Sequence, residues 1–295
     1  MKAVSVNPVD TKIRAPKDGV EDPPKVLGWD ASGIVEAVGP DVTLFKVGDE
    51  VYYAGDLTRP GSNSEFQLID ERIVGPKPKS LSFAEAAALP LTRITAYESF
   101  IERLSIDRDG ASKGQSILII GVGGSVGSIG IQLAKAAGLE IIDTASRPET
   151  TEWGKELGAD HVVNHREPMA KQLRALGMQH VDHIAILNDM RHWDTAVELI
   201  RHQGGIVCID ATNEPMEMAA FKMKSASLHW EFMYTRSMFE TPDMIEQHNL
   251  LKYVAGEIDA GCIHMTLNEV MRPINAETMR AAHALIETGT AKGMW

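Results

Sequence analysis

The sequence is poor in cysteine. Only Cys208 and Cys262 occur in 295 residues. Two distant thiols supply neither a four-cysteine zinc lobe nor a disulfide framework, and a reducing, cytoplasmic setting is expected. Long apolar runs are missing too. No stretch approaches the roughly 18 uninterrupted apolar residues of a membrane span, and the opening MKAVSVNPVDTKIR lacks the apolar centre of a signal peptide. Positive charge is also short, with 29 Lys and Arg against 41 Asp and Glu, a net charge of −12. No basic patch offsets that deficit, which argues against nucleic-acid binding through phosphate neutralisation. No 20–50-residue repeat is visible either. The remaining composition, 44% hydrophobic and 24% charged, is that of an ordinary globular chain rather than a disordered one. At roughly 150 residues per domain, the length suggests two domains.

Two patterns follow one another along the chain. Residues 1–80 carry short β-branched runs closed by turn residues: Ala3 to Val6 before Asn7-Pro8, Ser32 to Val38 before Gly39-Pro40, and Glu50 to Ala54. Ser82 and Glu85 form a capping-box signature, and Ile94, Tyr97, Ile101 and Leu104 fall at helical spacing. From Ser116 strands alternate with helices: strands are expected at 116–120, 139–144, 161–163, 181–187, 206–210 and 228–233. Such alternation predicts an α/β, Rossmann-type doubly wound parallel sheet. Two further helices are expected at 250–258 and 277–287.

The run Gly121-Val122-Gly123-Gly124-Ser125-Val126-Gly127 directly follows an apolar strand and opens an amphipathic helix. Glycines permit a tight turn and close approach of a pyrophosphate, and a helix start offers free amides to the anion. Gly121, Gly123, Gly124, Ser125 and Val126 are therefore the expected contacts of a dinucleotide. The next strand ends Ala145-Ser146-Arg147, without the acidic residue that holds a ribose 2′-hydroxyl in NAD-binding sites. Ser146 and Arg147 suit a 2′-phosphate, which favours NADPH. Asp143, two residues before Ala145, keeps NAD open. Asn188 follows the strand ending at Leu187, where ligands of open sheets sit.

These residues resemble the medium-chain dehydrogenase/reductase superfamily, and more closely the zinc-type alcohol dehydrogenase-like proteins of its quinone oxidoreductase branch. The resemblance rests on VSVNPVDTKIR (4–14), VLGWDASGIVEAVGPDV (26–42), LPLTRITAYESF (89–100), GVGGSVGSIGIQLAK (121–135) and SASLHWEFMYTRSMFETPDM (225–244). It implies a GroES-like β-rich catalytic domain over 1–92, a Rossmann NADPH-binding domain over 93–249, and a segment over 250–295 that returns to the catalytic domain. It also implies an active site in the cleft between domains. By the same resemblance the GroES-like part is expected to be incomplete at its start, and a closing strand is expected to be missing after Trp295.

The family's zinc-ligand positions fall near Asn7, in Gly28-Trp29-Asp30, and near Thr95, so no metal is expected. His180-Val181-Asp182-His183 has no third ligand beside it. Without a Lewis acid, quinones and α,β-unsaturated carbonyls are the expected hydride acceptors, since they need only hydrogen-bond help. Asn7 is expected to donate to the carbonyl oxygen, with Asp10 orienting it or relaying a proton; the other reading of these residues is an Asx turn capped by Asp10. Thr92 and Thr95 resemble positions that line the nicotinamide, or else cap a helix start. The superfamily's habit of dimerising makes a homodimer an expectation. Two alternatives stand beside this reading: a zinc alcohol dehydrogenase with unusual ligands, and a clipped, non-catalytic cofactor-binding relative.

Overall fold

Short β-branched runs that present one face to an apolar interior build a four-stranded antiparallel sheet. Its strands are β1 (Ala3–Ser5), β2 (Asp30–Ile34), β3 (Glu50–Tyr53) and β4 (Val74–Pro76), in the order β1-β2-β3-β4. Ala31, Val51, Tyr53 and Val74 form its core. Asn7-Pro8 does more than end a strand. Asn7 is the extended cap of helix α1 (Pro8–Arg14), with proline in the first turn, where its missing N–H has no partner to lose. The Ser82–Glu85 capping box forms as expected and starts helix α2 (Phe83–Ala87), with the Ser82 N–H donating to Glu85 Oε2 at 2.8 Å. Helix α3 (Pro90–Tyr97) runs on into a π-helical stretch, Glu98–Arg103.

The computed structural model describes residues 1–288 except 16, 17, 20, 122, 189, 264, 266 and 268. They divide into two units, one of Met1–Ile94 with the segment from Met233, the other of Thr95–Phe232. The second unit carries a six-stranded parallel sheet of β5 (Ser116–Ile120), β6 (Glu140–Thr144), β7 (His161–Val163), β8 (Val181–Ile186), β9 (Ile200–Cys208) and β10 (Ser227–Trp230), ordered β10-β9-β8-β5-β6-β7. The connecting helices are α4 (Ser125–Ala136), α5 (Pro148–Glu156), α6 (Met169–Ala175), α7 (Trp193–Leu199) and α8 (Ala219–Lys224).

The run SILII has no polar alternation because both faces of its strand are covered. Leu118 and Ile120 pack with residues of α6 and α7, while Ile117 and Ile119 pack with residues of α4 and the π-helical stretch. Phe100 fills the space beside Gly130, where any side chain on the helix would collide with its ring. Strand β9 begins earlier than its apolar run, at Ile200, and a register irregularity opposite Val181/His183 accommodates Gly204-Gly205.

The chain then returns to the first unit in helices α9 (Thr235–Met238), α10 (Glu246–Asp259) and α11 (Ala276–Glu287). Helix α10 is tied to the antiparallel sheet by Tyr52 Oη donating to the Leu251 carbonyl at 2.6 Å and by His248 Nδ1 2.7 Å from the Val74 carbonyl.

Candidate functional site

Each unit holds one group of candidate residues. In the parallel sheet, β5 lies between β8 and β6, and the chain leaves β5 and β8 toward opposite faces. That is a topological switch point, where open α/β sheets bind ligands at the carboxyl ends of their strands. The glycine loop sits there. Gly121 has φ +105°, a left-handed value that strains any other residue, and a side chain on it would crowd Asn188 at 3.3 Å. The Gly121 N–H donates to Thr144 Oγ1 at 3.3 Å, which ties the loop to the end of β6. Gly124 is the cap of the twelve-residue helix α4 and offers no side chain to its first amides. The amides around Ser125 and Val126, both half-buried, are thus left for an anion, and the helix dipole adds to the attraction.

At the end of β6, Ala145 is buried, Ser146 and Arg147 are half-buried, and Arg147 is the cap of α5. Its carbonyl accepts from Thr150 and Thr151, which anchors the backbone. Asp143 lies on the inside. It has no exposed surface, and Gly154 on α5 gives up its side-chain volume to it. Burial pushes its carboxyl up to about 7. This places Asp143 in the core and away from a ribose. Asn188 is exposed beside Gly121.

In the first unit the centre is Asn7. Its Nδ2 donates to Asp30 Oδ2 at 2.8 Å, and its backbone N–H donates to Asp10 Oδ2 at 2.7 Å. Asp30 Oδ1 accepts from the Leu91 N–H at 2.8 Å, at the start of α3. Asp30 therefore has a donor on each oxygen, while Asp10 Oδ1 has no partner among the described residues. All three side chains are buried. Burial is the main cause that raises both carboxyls, Asp10 to about 7, and for Asp30 the nearby Asp10 charge adds to it. Asp30 is the residue that reading the sequence missed as a partner of Asn7. In the sequence it is one strand residue 23 positions away, and only the β1–β2 pairing, Ser5 opposite Asp30, brings it close.

Thr92 is buried and its hydroxyl donates to the Leu89 carbonyl at 3.0 Å; Thr95 is buried one turn further along α3. Between them stands Arg93, which the sequence reading also passed over. It is fully buried, and its three guanidinium nitrogens have no hydrogen-bond partner among the described residues. Burial lowers its pKa to about 9, against the opposing pull of Tyr52.

The zinc positions implied by the resemblance carry an amide, an indole and a hydroxyl. Trp29 is fully buried, and its Nε1 donates to the Asp56 carbonyl at 3.0 Å. Both Asp30 oxygens are already engaged. This donor set does not match the thiolate and imidazole set of a tetrahedral zinc site. No group of three or more His, Cys, Asp or Glu able to hold a metal occurs among the described residues. Of the HVDH pair, His183 Nε2 lies 2.8 Å from Gln115 Oε1, and His180 packs edge-on to His202.

Comparison with known proteins bears on both units. Residues 1–95 match the alcohol dehydrogenase GroES-like domain, and residues 125–247 match the zinc-binding dehydrogenase family. The zinc-type alcohol dehydrogenase-like protein SAS2087 of Staphylococcus aureus strain MSSA476 is 45% identical over 289 residues, 97% of this chain and 86% of that protein. The 2-methylene-furan-3-one reductase of Solanum lycopersicum is 36% identical over 225 residues, 72% of this chain and 54% of that protein. Among solved structures, a Rhizobium etli CFN 42 protein named as a zinc-dependent alcohol dehydrogenase superposes with a TM-score of 0.92 at 49% identity, covering 99% of this chain and 86% of its own. The fold is also that of the Escherichia coli quinone oxidoreductase crystallised with NADPH, with a TM-score of 0.79 at 24% identity over 99% of this chain and 88% of that one.

Proposed function

This chain belongs to the medium-chain dehydrogenase/reductase superfamily as a zinc-type alcohol dehydrogenase-like oxidoreductase, and from that premise we propose that it reduces a quinone or an α,β-unsaturated carbonyl with NADPH and without a metal. The observation that carries the cofactor choice is the end of β6. Ser146 and Arg147 stand where an acidic residue would grip a 2′-hydroxyl, and the nearby carboxylate, Asp143, is turned into the core. A guanidinium there can pair with a phosphate in two parallel hydrogen bonds.

When bound, the reduced nicotinamide supplies the hydride. The amides of Gly123, Ser125 and Val126 would hold the pyrophosphate, Gly124 would shape the turn through its own N–H bond to the Gly121 carbonyl, Asn188 would back that turn, and Thr92 and Thr95 would line the nicotinamide. Asn7 acts on the substrate. A primary amide has two N–H donors, and Asp30 engages one, which fixes the direction of the other. That second N–H donates to the carbonyl oxygen as negative charge develops on it. Asp30 is thus a positioning residue, and Asp10 holds the backbone of Asn7 in place. With its carboxyl raised to about 7, Asp10 is partly protonated near neutral pH and can pass that proton to the enolate or quinolate oxygen. Electron-poor quinones and enones fit a site that polarises by hydrogen bond alone. The reductase name of the tomato relative supports the enone half of this reading. A cytoplasmic setting fits the two free thiols, Cys208 and Cys262, and no helix among the described residues is long and apolar enough to cross a membrane.

Anaerobic oxidation of NADPH against quinones, enones and simple carbonyls, with and without a chelator, tests the proposal. Turnover of quinones or enones that survives chelation is expected. Turnover confined to simple alcohols and aldehydes, and abolished by chelation, overturns it. Arg147→Ala is expected to reduce the preference for NADPH over NADH by about tenfold or more, the loss of one charge-assisted pair. An unchanged ratio defeats the cofactor assignment.

A further inference from the structure

The chain crosses from one unit to the other inside α3, at Ile94/Thr95, and crosses back just after β10, at Phe232/Met233. An ion pair within the second unit joins the two segments that make these crossings. Arg103 Nε donates to Glu231 Oε2 at 2.8 Å. The Glu231 side chain is fully buried, while that of Arg103 is 36% exposed. Glu231 is held from behind by its own N–H, which donates to the Cys208 carbonyl at 2.8 Å and carries the β9–β10 pairing one residue further. Its other oxygen, Oε1, has no hydrogen-bond partner among the described residues.

Arg103 closes the π-helical stretch Glu98–Arg103. The Leu104 N–H reaches the Ser99 carbonyl at 3.1 Å, five residues back, where an α-helix bonds four back. The extra residue in the turn rotates Arg103 away from the course that α3 would otherwise give it. A π turn is rare, and it is frequent at functional sites. Here Phe100 holds its middle, lodged beside Gly130 of α4, where an added Cβ would lie 2.7 Å from the ring. The pair with Glu231 holds its end. The opposite end of the same helical run meets the Asn7 centre. The Leu91 N–H donates to Asp30 Oδ1 at 2.8 Å, and Thr92 and Thr95 follow it on α3. Leu91 and Arg103 stand roughly 18 Å apart along this run, at about 1.5 Å per residue.

A buried ion pair is a weak source of stability, because desolvation offsets the attraction; its best-attested use is to fix one setting among several. We propose that Glu231, acting through Arg103, is a positioning residue for the reduction. It sets the rotation of the helical run from Pro90 to Arg103, and with it the Leu91 N–H that steadies Asp30 behind Asn7. This rests on the function proposed above and adds a remote residue to it. When the run turns, Asp30 loses one of its two donors, and the Asn7 amide loses its fixed direction. The glycine loop and Arg147 belong to other elements, so the grip on the cofactor's phosphates does not follow the change.

Two variants of the intact chain separate the hydrogen bond from the volume of the side chain. Glu231→Met keeps the length and removes the acceptors; Glu231→Gln keeps an acceptor for Arg103. Glu231→Met is expected to lower kcat on the best quinone or enone about tenfold, with KM and the Kd for NADP⁺ within about threefold, since small misplacements arising far from the chemistry cost up to about 100-fold. Amide hydrogen exchange at Leu91, followed by NMR, is expected to quicken about tenfold, with exchange at Ser125 and Val126 unchanged. Glu231→Gln is expected to stay within about threefold of the wild type in each measurement. Wild-type kcat and Leu91 exchange in Glu231→Met overturn the proposal. So does an equal loss in Glu231→Gln, or a parallel fall in kcat, NADP⁺ affinity and protection across the second unit, which marks a loosened fold. Where Glu231→Met does not fold, Arg103→Lys replaces it. An ammonium keeps the charge without the planar donor, so about a threefold loss of kcat with faster Leu91 exchange is expected, and wild-type values overturn the proposal. Leu91 exchange needs no substrate. A wild type that turns over neither quinones nor enones therefore defeats the proposed function, while the exchange still decides whether Glu231 sets the helix.

Discussion

Asp30 and Asp143 lie equally deep, one in each unit, and neither exposes any surface. Burial raises both carboxyls. Their neighbours differ. Asp30 is held on both oxygens, by the Asn7 amide and the Leu91 N–H. Asp143 makes no hydrogen bond of normal geometry through either oxygen among the described residues, and it rests against the bare backbone of Gly154. Depth alone therefore does not mark a working carboxylate. One gripped at both ends can aim another group; in the other, desolvation outweighs a backbone contact to Thr144 and destabilises the charged form.

The largest effect expected from this contrast is catalytic. Asn7→Ala should lower kcat about 100-fold, the scale of losing one donor to a developing oxyanion, and Asp30→Asn, which swaps an acceptor for a donor against Asn7 or Leu91, about tenfold. Asp143→Asn should leave kcat unchanged. Steady-state kinetics on the best quinone or enone decides, and an equal loss in Asp143→Asn breaks the contrast.

Next comes stability against pH. An acid whose folded pKa is raised, here to about 7 from 3.8, binds its proton more tightly in the folded state. Its effect on folding is neutral below about pH 4, grows unfavourable as pH rises from about 4 to 7, and levels off above that. From pH 5 to 8 the wild type should lose about 2 kcal/mol that Asp143→Asn does not lose. Urea unfolding of both proteins at the two pH values measures this, and parallel curves refute it. The smallest effect concerns Arg93, the cationic counterpart of Asp143. Arg93→Met should raise stability by about 1 kcal/mol in thermal unfolding, because a buried charge with no hydrogen-bond partner among the described residues gives way to a side chain of similar length. A fall in stability instead reveals an anion bound to Arg93.

Much of the second unit was legible in its residues. The sheet follows from unbroken apolar runs, and the glycine loop lies where strand and helix flank it. The first unit was harder to read. Helix α1 hides behind Asn7-Pro8, which reads as a turn until Asp10 is seen at its third position. Strand β4 is three residues of Val, Gly and Pro, too short for any periodicity. The π-helical stretch keeps the same apolar spacing as an α-helix over one turn, so Glu98–Arg103 carries no separate signal. The Asn7–Asp30 contact is a product of strand pairing, and composition or spacing does not report it.

Trp29 has a consequence for descent. Its indole is fully enclosed and bonded to the Asp56 carbonyl, so replacing it with a histidine opens a void before any metal can fill it. Asn7 would have to become a thiolate at the same time, releasing Asp30 from the amide it orients. Each single change toward a zinc ligand set at these positions therefore costs packing or the Asn7–Asp30 contact before the set is complete.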